Sequence, residues 1–161
     1  MLDNFEWPQP QDEADEKLLH NIRKHGCHIM SISGDERAPP FAFSIGLFVN
    51  YEHPEIIIFG REPRNAAGII NVVCADAAAG KKYAAGDVST DILVQGRVGF
   101  AEVPLLLYPN YLGTAIWFYD KSPRIFPYLQ LLWPDANDLL PGETGYDDSL
   151  RKYQPILKSL S

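Results

Sequence analysis

Cysteines are few and long apolar runs are missing, and both shortages exclude classes of protein. The only cysteines are Cys27 and Cys74, and they do not form a Cys-x-x-Cys pair. The chain therefore lacks the spacing of a structural zinc site or of a dithiol redox motif. No apolar run approaches the roughly 20 residues that a membrane-spanning helix needs.

Positive charge is scarce as well. The chain has 14 Lys and Arg against 21 Asp and Glu, a net charge of −7, and six acidic residues precede Lys17. Binding to nucleic acid or to an anionic membrane depends on Lys and Arg near phosphates, so we expect neither partner. The N-terminus, MLDNFEWPQPQDEADE, lacks the basic and apolar regions of a signal peptide. We therefore expect a cytoplasmic protein whose two thiols are reduced.

Common catalytic and phosphate-binding motifs are also missing. The sequence has no GxSxG nucleophile turn, no GxxxxGK[ST] phosphate loop and no GxGxxG dinucleotide fingerprint. Residues 80–82 (GKK) follow a predicted helix instead of preceding one, so their amides do not point toward a phosphate. The four histidines show no metal-ligand spacing. We predict no cofactor and no metal.

The composition is that of one globular domain. Of the 161 residues, 46% are hydrophobic and 22% are charged, which are ordinary values for a chain that builds its own core. Residues 1–11, rich in proline, glutamine and acid, are predicted to form a flexible acidic arm. Residues 12–161 are predicted to form a single α+β domain.

Two segments have the periodicity of amphipathic helices. Residues 12–26 place acids in the first turn and bases in the last, followed by Gly26, a favourable residue for ending a helix. Residues 62–82 repeat apolar side chains at helical spacing, with Pro63 at the first helical position and Gly80 near the end. We expect the second helix to pack on one face of a sheet.

Strands are predicted at residues 27–33, 41–48, 55–60, 91–103 and 126–135. Residues 41–48 alternate large and small side chains, whereas residues 55–60 are apolar throughout and predict a strand buried on both faces. The fourth strand is either continuous or broken at Gly96. Residues 104–121 fit a helix or a strand, and residues 149–161 form a short amphipathic end.

The order of elements indicates the fold class. It reads α-β-β-β-α-β-(α)-β, and the short loops between the first three strands favour an antiparallel meander. We predict an α+β fold with a mainly antiparallel, curved sheet on which two or three helices pack. A doubly wound parallel sheet is not expected.

Four segments occur in the order GCHIMSI, PPFAFSIGL, HPEIIIFG and LQLLWPD. Together they resemble the bacterial family catalogued as domain of unknown function 4262, over roughly residues 20–147. Cys27 stands where an aromatic residue is common in that family, and Phe43-Ser44 stands where Tyr-Thr is common. The resemblance implies a family and a bacterial origin without implying an activity. A second similarity, to the flavin-binding split barrel, is topological only.

Residues 50–55 (NYEHPE) gather an imidazole, a phenol and two carboxylates. His53 could act as a general base with Glu52, Glu55 or Asp135, if folding brings them together. The alternative is a structural loop between two strands. Asp135 is alternatively expected to accept hydrogen bonds from amides of the turn that follows it. The candidate catalytic residues are His53, Glu55 and Asp135.

Aromatic residues are concentrated late in the chain. Residues 117–133 hold six of them, with Arg124 and Gln130 interleaved. Aromatic side chains with a few fixed polar groups line small-molecule pockets, and exposed Trp, Tyr and Arg anchor protein interfaces. The alternative is an aromatic core in which Gln130 bonds to a neighbouring loop. The predicted binding residues are Tyr51, His53, Trp117, Arg124, Gln130 and Trp133.

These patterns favour a non-catalytic module that binds a small ligand or a protein. The alternatives are a hydrolase or transferase that uses His53 with nearby carboxylates, and a flavin-binding, split-barrel-like protein. The sequence is also compatible with a homodimer.

Overall fold

One six-stranded sheet organises the computed structural model, which describes residues 1–158. The strands are β1 (His28–Ile32), β2 (Phe41–Ile45), β3 (Glu55–Phe59), β4 (Val88–Ser89), β5 (Val98–Glu102) and β6 (Tyr128–Leu132). The α-helices are α1 (Glu13–His25), α2 (Leu47–Tyr51), α3 (Pro63–Ala78), α4 (Tyr108–Tyr111) and α5 (Gly113–Phe118). Two 3-10 helices cover Leu105–Leu107 and Asp148–Lys152. Among the described helices, none is both long and apolar enough to cross a membrane.

The strands lie in the order β1-β2-β3-β6-β5-β4. The first three form the predicted antiparallel meander, with Phe43 opposite Ile57 between β2 and β3. β3 and β6 are parallel, and the other pairs on that side are antiparallel. The prediction of an α+β fold with a mainly antiparallel sheet is confirmed. Within residues 1–158 the sheet keeps two open edges, at β1 and β4, so it does not close into a barrel.

Helices cover both faces of the sheet, and the core therefore consists of two clusters, one on each face. On one face, Phe43 and Ile45 of β2 pack with side chains of α1, α4 and α5. On the other face, Ala42 packs with Ile70 and other residues of α3. Because successive strand residues point to opposite faces, the alternation of β2 builds both clusters. β3 is buried along its whole length, as predicted.

Both long helices predicted from the sequence form, and their ends can be compared with the predicted signals. The Asp12 side chain accepts a hydrogen bond from the Asp15 N–H at 2.8 Å, which caps the start of α1. Gly26 ends α1 with a φ of 93°, in the left-handed region. Pro63 occupies the first position of α3, and the helix ends at Ala78, somewhat earlier than predicted.

The prediction of a strand over residues 41–48 is wrong in its last part. β2 ends at Ile45, and the short helix α2 begins at Leu47. Gly46 turns the chain with a φ of 122°, a conformation that glycine adopts without strain. The first amides of α2 then donate to a side chain of another strand. A local pattern cannot show such a contact, so the alternating residues alone predicted a longer strand.

The strand predicted over residues 91–103 forms only in its second part, from Val98. The preceding segment bends, and Val94 is fully exposed. The backbone N–H of Arg97 donates to the Asp138 carboxylate at 2.9 Å, and its guanidinium donates to the Asp138 carbonyl at 2.6 Å. These bonds attach the segment to the loop after β6, so its backbone is not available to pair with a strand.

Three other predictions are resolved by the structure. Residues 104–121 contain three short helical segments and no strand, and Pro109, which cannot donate to a sheet, lies in the first turn of α4. β6 is shorter than the predicted range 126–135. The amphipathic end predicted at 149–161 contains most of a 3-10 helix, and residues 159–161 lie outside the described part of the chain.

The N-terminal arm predicted from the sequence lies against the domain. Leu2 is buried, and its N–H donates to the Val49 carbonyl at 2.7 Å. The rings of Phe5 and Trp7 pack on Phe118, with centroid separations of 5.2 and 5.3 Å. The flexibility of the arm stays a prediction, because these contacts describe its position and not its motion.

Candidate functional site

Within the NYEHPE segment, the carboxylate of Glu55 is the centre of a buried hydrogen-bond network. Glu55 opens β3 and is fully buried. Its oxygens accept from the backbone N–H groups of Gly46 at 2.8 Å, Leu47 at 3.1 Å and Phe48 at 3.3 Å. Gly46 precedes α2 and has no side chain to cap it. Glu55 therefore supplies, from the neighbouring strand, the acceptor that a helix N-terminus requires.

Two hydroxyl groups complete the environment of Glu55. Ser44 Oγ donates to Glu55 Oε1 at 2.7 Å and accepts from the Ile56 N–H at 2.9 Å. The Tyr119 hydroxyl donates to Oε2 and accepts from the Val49 N–H at 3.3 Å. Each hydroxyl accepts a hydrogen bond from a backbone N–H and donates its own proton to the carboxylate. All the partners donate, and this arrangement accommodates an ionised carboxylate.

Burial and hydrogen bonding have opposite effects on Glu55. Burial raises the pKa of its carboxyl above the ordinary value, and the hydrogen bonds from Tyr119, Ser44 and the amides reduce that rise. Burial, followed by the charge of Glu55, raises the pKa of Tyr119 well above its usual value, so the phenol keeps its proton and remains a donor. The hydrogen bonds of Glu55 anchor the start of α2 to β3.

His53 is also fully buried, and both of its ring nitrogens are occupied. Nε2 accepts from the Tyr83 N–H at 3.0 Å. Because an amide N–H can only donate, the ring proton lies on Nδ1, which donates to the Pro54 carbonyl at 2.7 Å. Burial lowers the pKa of His53 despite the bond to Pro54. The neutral imidazole thus joins the loop before β3 to the segment after α3.

The structure does not bring His53 to its candidate carboxylate partners. Within residues 1–158 its ring makes no hydrogen bond to Glu52, Glu55 or Asp135. Glu52 lies near the surface, where its carboxylate accepts from Arg124 Nη1 at 2.5 Å. In the same described part of the chain, no group of three or more His, Cys, Asp or Glu side chains could hold a metal ion.

Asp135 forms the turn that the sequence pattern indicates. Its Oδ1 accepts from the N–H groups of Asn137 and Leu139, both at 2.9 Å. Its Oδ2 accepts from the Asp147 N–H at 2.9 Å, which ties the turn to the C-terminal loop. Hydrogen bonds from these backbone amides, Leu139 first, lower the pKa of Asp135. The carboxylate thus organises the loop after β6.

Gln130 and Trp133 hold other parts of the chain. Gln130 Oε1 accepts from the Leu157 N–H at 2.9 Å, and Nε2 donates to the Pro155 carbonyl at 2.7 Å. Trp133 is buried, and its indole N–H donates to the Phe59 carbonyl at 2.7 Å. The polar groups of both side chains are therefore engaged inside the protein.

Tyr51 and Arg124 lie near the end of α2. Tyr51 is half-buried against the core beneath α3, with its hydroxyl over the α-carbon of Gly26. Arg124 is exposed, and its guanidinium lies 5.3 Å from the centre of the Phe48 ring. Neither side chain belongs to the wall of the cavity that lies beside α5 and includes Trp117.

A cavity of about 320 Å³ separates the N-terminal arm from α5, and we refer to it as the arm–α5 groove. Trp117 is half-buried in its wall, and its indole N–H donates no hydrogen bond within residues 1–158. The other wall residues include Glu6, Pro8, Gln9, Ile116, Asp120 and Lys121. The arm residues were not among the binding residues predicted from the sequence. Phe5 and Trp7 are apolar residues in an otherwise polar arm, and this pattern indicates that the arm packs against the domain.

These features define a single-sheet α+β domain with a fully hydrogen-bonded carboxylate at its centre and a groove beneath its N-terminal arm. The profile of the family described as domain of unknown function (DUF4262) matches residues 21–147, which are most of the chain. The chain belongs to this family, and the resemblance seen in the sequence is confirmed. Comparisons with curated proteins and with solved structures found no match.

Proposed function

We propose that this protein is a non-catalytic binding module and that its ligand occupies the arm–α5 groove. The observation that carries the proposal is the state of Trp117, a large aromatic side chain that is half-buried with no hydrogen bond from its indole N–H within residues 1–158. Trp133, in contrast, is buried and hydrogen-bonded. A cavity of about 320 Å³ is near the lower limit of small-ligand sites, which begin at about 300 Å³.

The wall of the groove indicates the chemistry of its ligand. Pro8, Ile116 and the Trp117 ring provide an apolar surface, while Glu6, Asp120 and Lys121 provide charge. Lys121 Nζ lies 3.5 Å from the Glu6 carboxylate in an exposed ion pair, which a ligand can displace at little cost. Two carboxylates against one ammonium favour a ligand with an apolar or aromatic body and a cationic head.

A titration with two matched probes tests this proposal. Phenethylamine carries the expected aromatic body and cation, and phenylacetate carries the same body with an anion. We expect the amine to shift the indole N–H resonance of Trp117, one of three tryptophans, while that of Trp133 stays in place. A shift centred on Trp133, or stronger binding of the acid, would contradict the proposed site or its charge preference.

Substitution of the anchor provides the second arm of the test. Trp117→Ala should weaken amine binding by about 30-fold, because an aromatic anchor contributes about 2 kcal/mol. Ile125→Ala is the matched control, since Ile125 is exposed and lies outside the groove wall. Equal losses in the two variants would remove Trp117 from the site.

The proposal also includes a setting for the protein. The family resemblance favours a bacterial origin, and we propose a cytoplasmic location. A homodimer is compatible with the exposed apolar side chains, among which Leu106 and Ile125 are more than two-thirds exposed. Light scattering after size-exclusion chromatography measures the mass of the assembly directly.

A further inference from the structure

Cys27 and Cys74 come together inside the protein although 47 residues separate them in sequence. Cys27 lies just before β1, and Cys74 lies on α3. Both thiols are free and buried, and their Sγ atoms are 2.9 Å apart. A disulfide bond measures about 2.05 Å, so bond formation requires an approach of only about 0.9 Å. We propose that the two thiols are a peroxide-sensitive pair that closes into an intrachain disulfide.

In the proposed reaction the two thiols have different roles. The Cys27 S–H donates a hydrogen bond to Cys74 Sγ. This bond lowers the pKa of Cys74, whereas the same bond and burial raise the pKa of Cys27. Because the thiolate is the nucleophile, Cys74 attacks first and Cys27 resolves the intermediate.

The reaction takes place in two balanced steps with a hydroperoxide as the oxidant. The Cys74 thiolate attacks the outer oxygen of the peroxide and the O–O bond breaks. The leaving alkoxide or hydroxide takes up the proton that Cys74 lost, so the products are a sulfenic acid on Cys74 and an alcohol or water. Cys27 sulfur then attacks Cys74 Sγ, the S–OH bond breaks, and the hydroxide leaves as water with the Cys27 proton. The net change is two thiols oxidised to one disulfide and one peroxide reduced.

The surroundings of the pair select small oxidants. Cys27 and Cys74 are each 7% exposed, so a protein or a bulky thiol has little access. The Tyr51 ring packs against the core cluster that contains both cysteines. Burial first, and then the two thiols, raise the pKa of Tyr51. Gly46 packs closely against the Cys27 backbone, since an added Cβ there would lie 3.0 Å from Cys27 Cα. Hydrogen peroxide is small enough to enter such a site.

The primary test uses the unmodified chain, whose two cysteines leave only one intrachain pairing. After full reduction, the native protein is treated with hydrogen peroxide at a small molar excess and analysed by intact mass and thiol titration. We expect a mass loss of about 2 Da, loss of both thiols, and recovery of both when the oxidised protein is treated with dithiothreitol in denaturant. The oxidised protein should also unfold at a higher temperature, because the cross-link constrains the unfolded chain.

Retention of both thiols, a gain of two or more oxygen atoms, or disulfide formation only in denaturant would overturn the proposal. Serine variants then test the roles. Cys27→Ser keeps the attacking thiol and should accumulate a sulfenic acid that dimedone labels once the quenched protein is unfolded in denaturant, whereas Cys74→Ser should react more slowly. Equal labelling rates in the two variants would overturn the assignment of Cys74 as the attacking residue. The mass measurement on the unmodified chain remains decisive if either variant folds poorly.

Discussion

At the scale of single residues, Glu55 and His53, which are candidates for catalysis in the sequence, make hydrogen bonds that hold the fold together. Glu55 accepts three backbone amides and two hydroxyl protons in a fully buried position. His53 uses one nitrogen as a donor and the other as an acceptor. Glu55 joins β3 to the start of α2, and His53 joins the loop before β3 to the segment after α3. Their clustering in NYEHPE reflects the connection between β2 and β3.

Substitution of Glu55 tests its role as an anchor. In Glu55→Gln, the side-chain amide would turn an N–H group toward donors, leaving buried N–H groups unpaired. We expect the free energy of unfolding to fall by about 3 kcal/mol, as measured by urea titration. Glu62→Gln is the matched control, because Glu62 caps α3 at an exposed position. Its change should stay within about 0.5 kcal/mol, and similar losses in both variants would refute the anchor role.

The buried His53 makes stability depend on pH. Burial lowers its pKa in the folded state from the ordinary value of 6.5. Below about pH 6.5 the unfolded chain therefore binds a proton at His53 that the folded chain does not bind. The free energy of unfolding falls as the pH drops from about 6.5 toward the lower pKa of the folded state. His28, whose pKa burial also lowers, contributes in the same direction.

The variant His53→Gln keeps an acceptor for Tyr83 and removes the titration. We expect its free energy of unfolding to fall less steeply than that of the unmodified protein between about pH 7 and about pH 5, with His28 adding to the remaining slope and Glu55, whose pKa is raised in the folded state, opposing it. His20→Gln, at an exposed position of α1, is the control and should keep the original slope. An unchanged slope in His53→Gln would show that His53 does not titrate differently on unfolding.

At the scale of elements, α2 depends on contacts that come from elsewhere. It has five residues, too few for an isolated helix to be stable, and its N-terminal amides are satisfied by a residue of β3. The turn into α2 requires Gly46, where an added Cβ would lie 2.8 Å from the Gly26 carbonyl oxygen. The helix and its strand neighbours therefore form one cooperative unit.

Two glycine-to-alanine substitutions separate this requirement from helix propensity. Gly46→Ala should lower the free energy of unfolding by at least about 2 kcal/mol, because the residue combines a strained φ with a steric clash. Gly68→Ala should raise it by about 1 kcal/mol, because Gly68 lies on the exposed face of α3 with nothing near its Cβ position. Thermal unfolding measures both, and a tolerated Gly46→Ala would show that the turn relaxes.

At the scale of the whole molecule, the N-terminal arm closes the face of the sheet that carries α1 and α5. Leu2 is buried in that core cluster, and Phe5 and Trp7 pack against it. The arm also forms one wall of the arm–α5 groove. A ligand in this groove would therefore contact the arm and the domain at once.

Substitution of the buried arm residue tests this docking. Leu2→Ala should lower the free energy of unfolding by about 2 kcal/mol, in the range for a core leucine, and should speed hydrogen exchange of its own N–H. Asp3→Ala, at an exposed neighbouring position, is the control and should change neither quantity appreciably. A silent Leu2→Ala would show that the arm is detached in solution and that its predicted flexibility prevails.

Helix ends, the buried strand, the strand meander and the family could all be predicted from local patterns in the chain. The caps of α1 at Asp12 and Gly26, the start of α3 at Pro63 and the buried β3 follow from residue type and periodicity. The antiparallel meander follows from short loops, and the family follows from four ordered segments. Each of these signals lies within a few residues along the chain, where sequence patterns are informative.

Contacts between segments that are distant in the sequence could not be predicted and are known from the folded structure alone. The end of β2 and the start of α2 depend on Glu55, whose burial requires Tyr119 from α5's end, 64 residues away. The pairing of Cys27 with Cys74 and the groove beside Trp117 likewise arise from packing across the sheet. A one-dimensional pattern records which residue types are present but not which of them meet. Burial and hydrogen-bond satisfaction, which depend on all neighbours together, settle that question.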